Sequence, residues 1–464
     1  MSAHLKSNGP MKRFLYFALL LFSNLVSATI VCATENASPN FLLILADDHG
    51  YGDVSTYHPS DVQTPNIDQL AQDGLLLTQM RSNCTVCSPS RAAILTGCYP
   101  DRVGVPGVIR TAPEDSWGYF STDFATLPEL LKKRNYHTAA IGKWHLGLES
   151  PNLPNQRGFD HFHGFLGDMM DSYTTHLRHG FNYMRYNQET IQPTGHATEL
   201  FTDWAIEYLQ QRAQQESQPF FLYLAYNAPH FPIEPPAPWL QKVQSRTPKL
   251  TEARARNVAL VEHLDHHIGR IIAALDRFNL SKNTLVVYTS DNGGSLPHAQ
   301  NNFPWRDGKQ SHYDGGLKVP FVMKWPQGIQ PKTTSDYQGL SFDLFPTFLE
   351  LAGAETPTDI DAVSLVPLFT GQSLPSNREL YFIRREGGLK YCGKSYEAIV
   401  HQGWKLMQND PFSPLELYNL NQDPGETDNL AQTEKKKVDD LSQRLRKHIQ
   451  RGGMMNWQAP KSTR

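Results

Sequence analysis

Cysteine is scarce in this sequence. The 464 residues contain five cysteines, and three of them, Cys84, Cys87 and Cys98, lie close together. So small and local a set excludes a scaffold that is held together by several disulfides. Cys84 and Cys87 form a Cys-x-x-Cys pair, but no second pair follows that would complete a zinc site. We therefore expect these cysteines to matter through their chemistry or not at all.

An excess of charge of either sign is also missing. The chain has 43 basic and 46 acidic residues, which gives a formal net charge of -3. This balance argues against a broad nucleic-acid-binding face, although it leaves room for a local basic pocket. The 39% of hydrophobic residues, with 32 glycines and 32 prolines, is typical of a loop-rich globular protein. Repeats and low-complexity blocks do not occur.

Long hydrophobic runs are absent outside the N-terminus. There, Lys12 and Arg13 precede the apolar run Phe14–Phe22, and small residues continue to Ala33. This arrangement predicts a signal peptide over residues 1–33, and hence a secreted or periplasmic protein with no stable membrane insertion after its removal. An N-terminal membrane anchor is the alternative, because Phe14–Val31 is almost long enough to span a bilayer.

Residues 34–371 alternate short apolar runs with helical patterns. This alternation predicts an α/β domain in which helices cover both faces of a large, mostly parallel sheet. The predicted strands are Phe41–Ala46, Thr138–Gly142, Phe220–Tyr226, Leu285–Thr289 and Val319–Trp325. The predicted helices are Pro65–Asp73, Leu127–Arg134, Glu199–Gln214, Asn257–Phe278 and Phe342–Ala352.

The pattern changes after Gly371, and residues 372–464 are predicted to form a smaller α+β domain. Short strand-like segments indicate an antiparallel sheet, and a final helix follows. These segments are Glu379–Arg384, Tyr396–His401 and Trp404–Met407, with the helix at Glu434–Arg451.

Polar residues follow four of the predicted strands immediately. Ligands of open α/β sheets bind outside the carboxyl ends of the strands, so these residues are candidates for a site. They are Asp47-Asp48-His49, Lys143-Trp144-His145, Asn227-Ala228-Pro229-His230 and Ser290-Asp291-Asn292. Any one of them could be a surface turn, but four at the same edge of one sheet point to a shared function.

Four of these residues are oxygen donors, namely Asp47, Asp48, Asp291 and Asn292. Adjacent carboxylates repel each other unless a cation lies between them. The set therefore suits a hard divalent cation, calcium or magnesium. A cap of a helix or turn is the alternative for the Asp47-Asp48 pair.

The segment from Cys87 to Gly97 has the pattern of a short helix. Ser88 can cap it, Pro89 fits the first helical position, and Gly97 can end it. Cys87 would then lie beside a helix N-terminus, where an unmodified thiol could be acidic and reactive. A capped helix beside a buried cysteine is the alternative without function.

The motif Cys87-x-Pro89-x-Arg91, followed by Ala92-Ala93-Ile94-Leu95-Thr96-Gly97, resembles the signature of the type I sulfatases, which are formylglycine-dependent members of the alkaline phosphatase superfamily. The resemblance covers about residues 40–430 in family order. It includes Asp47-Asp48-His49-Gly50, Thr64-Pro65-Asn66, Gly142-Lys143-Trp144-His145, Ala228-Pro229-His230, Ser290-Asp291-Asn292-Gly293-Gly294 and Glu416-Leu417-Tyr418-Asn419-Leu420.

The resemblance implies a sulfuric ester hydrolase whose nucleophile is a formylglycine that a maturation enzyme makes from Cys87. It also implies calcium as the cofactor, bound by Asp47, Asp48, Asp291, Asn292 and residue 87. Arg91 would hold the aldehyde hydrate, and Lys143, His145, His230 and Lys309 would surround the sulfate. Lys309 lies in a segment that only approximates the family pattern, and Cys98 stands where the family commonly has arginine.

Roles for the two histidines follow from the same resemblance. One hydroxyl of the hydrated aldehyde would attack sulfur, and His145 would take the proton of the other. His230 or Lys309 would protonate the leaving alcohol.

Two further groups of polar residues are candidates with less support. His263, Asp265, His266 and His267 lie on one predicted helix and form either a second metal site or a packing face. A loop-rich stretch and a later loop could line the substrate pocket or form plain surface. Their members are His161, His163, Asp168, Asp171, His176, Arg178, His179, His298, Trp305 and Arg306. Asn36, Asn83 and Asn279 lie in glycosylation sequons.

Loops rich in histidine, tryptophan and arginine favour a sulfated saccharide, cut at chain ends, over a flat aromatic ester. Three alternatives stay open at this point. They are a broad arylsulfatase, a phosphodiester or phosphonate monoester hydrolase of the same superfamily, and an inactive protein that binds sulfated glycans.

Overall fold

The computed structural model describes residues 38–59, 61–215, 217–386, 395–410 and 412–459. The predicted signal peptide at 1–33, Cys32, Asn36 and Cys392 lie outside the described residues. Within the described part of the chain, every helix is too short or too polar to cross a lipid bilayer.

A ten-stranded mixed sheet forms the centre of the molecule, in the order β12-β2-β11-β10-β1-β9-β3-β4-β7-β8. Its strands are β1 (Asn40–Ala46), β2 (Leu75–Leu77), β3 (His137–Lys143), β4 (His161–Phe165), β7 (Met184–Tyr186), β8 (Glu189–Thr190), β9 (Phe220–Ala225), β10 (Thr284–Ser290), β11 (Phe321–Lys324) and β12 (Thr333–Ser335). The five central strands β10, β1, β9, β3 and β4 run parallel. Strands β5 (Leu177–Arg178) and β6 (Phe181–Asn182) form a separate ribbon.

Ten α-helices are present among the described residues. They are α1 (Pro65–Gln72), α2 (Cys87–Thr96), α3 (Leu127–Lys132), α4 (Ala197–Ala213), α5 (Ala237–Arg246), α6 (Glu252–Arg277), α7 (Asp314–Leu317), α8 (Leu344–Leu351), α9 (Val366–Phe369) and α10 (Lys435–Gly452).

Alternation along β1 creates two hydrophobic layers. Phe41, Leu43 and Leu45 pack on one side, together with buried residues of α2, α3 and α8. Leu42 and Ile44 pack on the other side, with buried residues of α1, α4 and α6. A strand that is buried on both faces has no polar alternation, which is why its sequence is a continuous apolar run. The predicted α/β sandwich is confirmed.

A four-stranded antiparallel sheet follows, in the order β13-β14-β15-β16. Its strands are β13 (Leu380–Arg385), β14 (Ser395–His401), β15 (Trp404–Gln408) and β16 (Glu416–Asn419). One face packs on Leu441 and Leu445 of α10. The other face packs on Leu317 and Phe342 of the large α/β layer. The predicted antiparallel sheet and final helix are confirmed, whereas the boundary between residues 371 and 372 stays a prediction.

Some elements differ from the sequence-based expectations. Residues His161–Phe165 form strand β4 instead of a loop, because Phe162 and Phe165 are buried although the histidines and Gly164 weaken the strand pattern. Helix α6 begins at Glu252, five residues earlier than predicted, and the Thr251 side chain accepts a hydrogen bond from the backbone N–H of Arg254.

Candidate active site

The carboxyl ends of four adjacent parallel strands meet at one edge of the large sheet. Ala46 of β1 pairs with Ser290 of β10, and Ala225 of β9 pairs with Leu45 of β1 and Gly142 of β3. Because these strands end at nearly the same level, the polar residues at their ends converge. These residues are Asp47, Asp48, Lys143, His145, His230, Asp291 and Asn292.

Cys87 is the first residue of α2 and is buried. Its Sγ atom lies 3.3 Å from Oδ1 of Asp47 and 3.8 Å from Nζ of Lys309. The structure therefore brings the cysteine, a carboxylate from the end of β1 and an ammonium group from a distant loop into one small space.

The start of α2 differs in detail from the prediction. Val86, not Ser88, is the N-cap residue, and Pro89 is the third helical residue. The Ser88 hydroxyl instead accepts a hydrogen bond from the backbone N–H of Ile109, at 3.1 Å. Gly97 ends the helix as predicted, with a φ of 69° that favours glycine.

The expectation of an acidic thiol at Cys87 is wrong for this environment. Burial and the nearby Asp47 carboxylate raise the pKa of the Cys87 thiol well above its ordinary value. Lys143 and Lys309 oppose this shift but do not outweigh it. An unmodified Cys87 is therefore a neutral thiol and a poor nucleophile.

Asp47 carries its charge in a fully buried position. Burial raises its pKa, but Lys143, His230, Arg91 and Lys309 together hold it well below the ordinary value. Nζ of Lys143 donates to Asp47 Oδ2 at 2.6 Å, and Nη2 of Arg91 lies 3.8 Å from the same oxygen. The ionised carboxylate is available as a metal ligand.

Asp48 adopts a left-handed backbone conformation, with a φ of 66°. Nζ of Lys309 donates to Oδ2 of Asp48 at 2.8 Å, and the amide nitrogen of Asn292 donates to Oδ1, also at 2.8 Å. The backbone N–H of Asp48 donates to Oδ1 of Asp291, at 3.2 Å. One acidic residue thus connects the ends of β1 and β10.

Arg91 of α2 fixes Asp291. Its Nε and Nη2 atoms donate to Oδ2 of Asp291 at 3.0 and 2.7 Å, and its Nη1 donates to the carbonyl of Lys143 at 3.1 Å. Burial and the Asp47 charge nevertheless raise the pKa of Asp291 to about 7, against the effects of Arg91 and Lys143. Burial is the larger cause of this shift, and repulsion from the Asp47 charge adds to it.

His145 is oriented by one hydrogen bond. Its Nε2 atom lies 2.7 Å from the carbonyl of Ile109 and must donate, because a carbonyl only accepts. Its Nδ1 atom is buried and has no hydrogen-bond partner among the described residues. Burial, with Lys143 and Arg91, lowers the pKa of His145 well below its ordinary value, so the ring is neutral and Nδ1 carries a free lone pair.

His230 lies beside Asp48. Its Nδ1 atom donates to the carbonyl of Phe231 at 2.6 Å, and its Nε2 atom lies 3.6 Å from Oδ2 of Asp48. Burial and Lys309 lower the pKa of His230 to about 4. The hydroxyl of Tyr173 contacts the carbonyls of Asn227 and His230, each at 2.8 Å, and so holds this loop. Sequence reasoning missed Tyr173, which carries no motif.

The donor set fits a hard divalent cation. Asp47, Asp48, Asp291 and Asn292 offer only oxygen, which calcium and magnesium prefer. The amide Oδ1 of Asn292 is buried and lacks a hydrogen-bond partner within the described ranges, so its lone pairs are available to a cation. A cation would also relieve the repulsion that raises the pKa of Asp291. Ligand atoms of Asp47, Asp48, Cys87 and His230 all lie within 4.8 Å of one another.

Several predicted pocket residues serve other purposes. His161 and His163 lie on β4, where the ring of His163 stacks on Trp204 of α4. Arg306 donates to the hydroxyl of Tyr418 in the C-terminal sheet, at 3.3 Å. Neither strand β4 nor Arg306 contributes to the cluster around Cys87. This cluster consists of Asp47, Asp48, Cys87, Arg91, Lys143, His145, His230, Asp291, Asn292 and Lys309. The side chains of His161, His163 and Arg306 pack within the fold. The sequence pattern alone could not distinguish this packing role from a role in substrate binding.

Most of the other predicted pocket residues make ion pairs or contacts within the fold, and His298 lies beside His230. Arg178 pairs with Asp168 and Asp171. His176 contacts the carbonyl of Gly195, and Lys318 lies over the Trp305 ring. His298 stacks on Phe231 with ring centroids 4.6 Å apart, beside His230.

Two minor candidates are also resolved by their positions. Cys98 lies at the far end of α2 from Cys87, where its thiol contacts the carbonyl of Asp359. Asn83 is fully buried and accepts a hydrogen bond from the backbone of Phe342, so it cannot carry a glycan in the folded chain.

Comparison with family models gives two matches. The Sulfatase model matches residues 39–354, which include every residue of the cluster around Cys87. The model described as N-sulphoglucosamine sulphohydrolase, C-terminal, matches residues 302–453, which include the antiparallel sheet and α10.

Individual relatives match over most of the chain. N-acetylgalactosamine-6-sulfatase of Canis lupus familiaris is 34% identical over 396 residues, which cover 81% of this chain and 74% of the relative. Arylsulfatase A of Bos taurus is 32% identical over 450 residues, with 84% and 83% covered. The crystal structure of Ps i-CgsB in complex with k-i-k-neocarrahexaose has a TM-score of 0.82 and 31% identity, and covers 92% of this chain and 96% of that chain.

Proposed function

Because the chain belongs to the sulfatase family, we propose that it removes sulfate from a sulfated saccharide with a nucleophile made from Cys87. Sulfuric ester hydrolysis is the reaction of this family, whose type I members belong to the alkaline phosphatase superfamily. One observation carries the proposed site: a carboxylate and an ammonium group both lie within 4 Å of the Cys87 sulfur. The proposed site residues are Asp47, Asp48, Cys87, Arg91, Lys143, His145, His230, Asp291, Asn292 and Lys309.

Cys87 lies where a negatively charged ester is attracted. It begins α2, whose backbone N–H groups favour anions. Lys309 lies 3.8 Å from the sulfur, and Lys143 donates to Oδ2 of Asp47, whose Oδ1 atom is 3.3 Å from the same sulfur. Both lysines would neutralise the oxygens of a sulfate group in contact with residue 87, and they would do so more strongly as charge develops during bond cleavage.

The residues proposed to hold calcium are Asp47, Asp48, Asp291 and Asn292, together with residue 87. Calcium bound there would polarise an oxygen of the sulfate group as a Lewis acid. Arg91 would keep Asp291 in position through its two hydrogen bonds to one carboxylate oxygen.

Formylglycine made from Cys87 would supply a hydrated aldehyde with two geminal hydroxyl groups, which the neutral thiol cannot supply. Lys309 is in a position to hydrogen bond to such a group, because its Nζ atom lies 3.8 Å from the sulfur. Arg91 is proposed to do the same from α2, the helix that begins with Cys87. His145 is the proposed base, because its Nε2–H is held by Ile109 and its unprotonated Nδ1 is buried in the site.

His230 is the proposed acid for the leaving alcohol. Burial lowers the pKa of Lys309, but Asp48, Cys87 and Asp47 together raise it above its ordinary value, so Lys309 binds its proton tightly. A tightly held proton makes a poor general acid. The pKa of His230 is low in the free site, but a negatively charged ester beside the ring would raise it.

A variant with His230→Ala tests this assignment. We expect kcat to fall by about 10²-fold on a sugar sulfate, whose alkoxide needs a proton, and by less than about tenfold on nitrophenyl sulfate, whose phenolate leaves unaided. The pair of substrates is its own control, since a folding defect lowers both rates equally. Equal losses on both substrates would assign the proton to another group.

The saccharide preference has two supports. One relative is named N-acetylgalactosamine-6-sulfatase, and one relative was crystallised with a neocarrahexaose. In addition, Phe231 is half exposed and stacks on His298 beside His230, which offers an apolar face to a sugar ring. A broad arylsulfatase is the second candidate, because the chain is also similar to arylsulfatase A.

A substrate panel distinguishes these candidates. Matured enzyme is incubated with desalted sulfated monosaccharides and oligosaccharides, with nitrophenyl sulfate and with nitrophenyl phosphate, and released sulfate or phosphate is measured. We expect a higher kcat/KM on at least one saccharide than on nitrophenyl sulfate, and lower turnover of the phosphate ester. Turnover of the aryl sulfate alone would favour the arylsulfatase, and preference for phosphate would favour a phosphoesterase.

A further inference from the structure

Two helices on the opposite face of the sheet from α2 bring together one carboxylate and two imidazoles. His263 and His267 lie one turn apart on α6, and Glu199 lies in the first turn of α4. The Nε2 atoms of the two histidines are 3.0 Å apart, and Nε2 of His263 is 3.4 Å from Oε1 of Glu199. The ligand atoms of all three residues lie within 4.8 Å of one another.

Ordinary packing does not account well for this cluster. His263 and His267 are both buried, and Nδ1 of His263 has no hydrogen-bond partner in the described part of the chain. His267 can donate from Nε2 to His263 and accept at Nδ1 from Arg270, which leaves the Nδ1–H of His263 without an acceptor among the described residues. Burial and the neighbouring histidines lower the pKa values of both rings, to about 2 for His263 and about 3 for His267, so both are neutral. A neutral imidazole is the form that binds a metal.

Two other polar residues near this cluster have separate partners. Asp265 accepts hydrogen bonds from the backbone N–H groups of Asn66 and Ile67 at the start of α1. His196 contacts the carbonyl of Glu234 and accepts from the backbone N–H of Thr198. The candidate set is therefore limited to Glu199, His263 and His267.

We propose that Glu199, His263 and His267 form a second metal site that binds a divalent transition metal, with Zn²⁺ as its preferred ion, and joins α4 to α6. Tetrahedral zinc with ligand bonds of about 2.0–2.1 Å places its ligand atoms roughly 3.3 Å apart, which agrees with the separations of 3.0 and 3.4 Å. Two nitrogens and one carboxylate oxygen select zinc over calcium, whereas the oxygen donors around Cys87 favour calcium. Water would complete the coordination.

One neighbour opposes the metal. Nη1 of Arg270 lies 3.3 Å from Nδ1 of His267, and Nη2 of the same arginine pairs with Asp203. A His267 ring that binds metal through Nε2 carries a proton on Nδ1 and cannot accept from Arg270. The arginine must then give up this contact and keep only its pair with Asp203. Its positive charge also weakens the binding of a cation nearby.

The test is a titration of the full-length protein with Co²⁺, followed by displacement with Zn²⁺, in excess Ca²⁺ that keeps the oxygen site filled. We expect one equivalent of Co²⁺ to bind with the visible absorption of tetrahedral coordination, and Zn²⁺ to remove that absorption. Isothermal titration of Zn²⁺ gives the dissociation constant independently.

Variants assign the signal to these residues. Glu199→Gln and His267→Gln are each expected to weaken Zn²⁺ binding by more than about tenfold, and Arg270→Gln to strengthen it. His266→Gln, a change of the adjacent histidine, and Glu207→Gln, on the same helix as Glu199, are the matched controls and should bind as the parent does. Because Glu199 is half exposed, its variant is expected to fold even if His267→Gln does not.

The proposal is overturned if the parent protein shows no tetrahedral Co²⁺ spectrum, or if Glu199→Gln binds Zn²⁺ with the affinity of the parent. Sulfatase activity is expected to be the same in Glu199→Gln and in the parent, because Glu199 is not part of the cluster around Cys87.

Discussion

Cys87→Ala is expected to lower kcat for a sulfate ester by at least about 10⁴-fold, while the protein keeps its fold. The change removes the only side chain from which the proposed nucleophile can be made. Lys143, Lys309 and the carboxylates remain, so binding of the ester is expected to fall much less than turnover. Single-turnover and steady-state rates on nitrophenyl sulfate measure the effect.

Cys84→Ala is the matched control. Cys84 is also a buried cysteine, three positions away, and its thiol contacts the carbonyl of Ile383 instead of the acidic cluster. We expect kcat of this variant to stay within a few-fold of the parent and its melting temperature to fall slightly, because a small cavity is created. Equal activity of Cys87→Ala and Cys84→Ala would exclude Cys87 as the source of the nucleophile.

Removal of calcium is expected to lower kcat by about 10²–10³-fold, and added Ca²⁺ is expected to restore it. The cation is proposed to bind next to the sulfate and to relieve repulsion among Asp47, Asp48 and Asp291. Chelation followed by readdition of Ca²⁺, Mg²⁺ or Zn²⁺ identifies the active ion. Activity that survives complete chelation, with metal content verified by elemental analysis, would contradict the role of the cation.

Asp48→Asn makes the same test within the protein. Asparagine accepts the left-handed backbone of Asp48, where φ is 66°, but it removes one negative charge from the site. We expect the Kd for Ca²⁺ to rise by at least about tenfold. At low calcium kcat is expected to fall by a matching factor, and high calcium is expected to restore it in part. Asp307→Asn is the control, because Asp307 also has positive φ, at 61°, but is exposed.

Sequence patterns predicted the centre of the fold well, for a physical reason. Strands β1, β9 and β10 are buried on both faces, so their continuous apolar runs stand out against the loops. Strands β2 and β12, at one end of the large sheet, have three residues each, which is too short for a pattern to be visible. Strand β4 was missed because its histidines pack on the aromatic rings of α4, a contact that no local pattern encodes.

The candidate site was predictable to the extent that it depends on strand ends. Asp47, Lys143 and Asp291 directly end or follow parallel strands, so topology alone brings them together. Lys309 comes from a long loop, and only the resemblance to the sulfatases suggested it. Its ion pair with Asp48 depends on tertiary structure.

The environment of the thiol could not be predicted from the sequence. A position at a helix N-terminus suggested an acidic Cys87, but the Asp47 carboxylate at 3.3 Å and complete burial reverse that shift. Similarly, the proposal of a metal site at His263 and His267 required the position of Glu199, which lies on another helix.

Mass spectrometry of the tryptic peptide Ser82–Arg91 from enzyme of known specific activity tests whether Cys87 is the source of the nucleophile. We expect a peptide that has lost sulfur and two hydrogens and gained one oxygen relative to cysteine, in a fraction that rises in proportion to kcat across preparations. Fully active enzyme in which this peptide retains an unmodified Cys87 would exclude the formylglycine nucleophile.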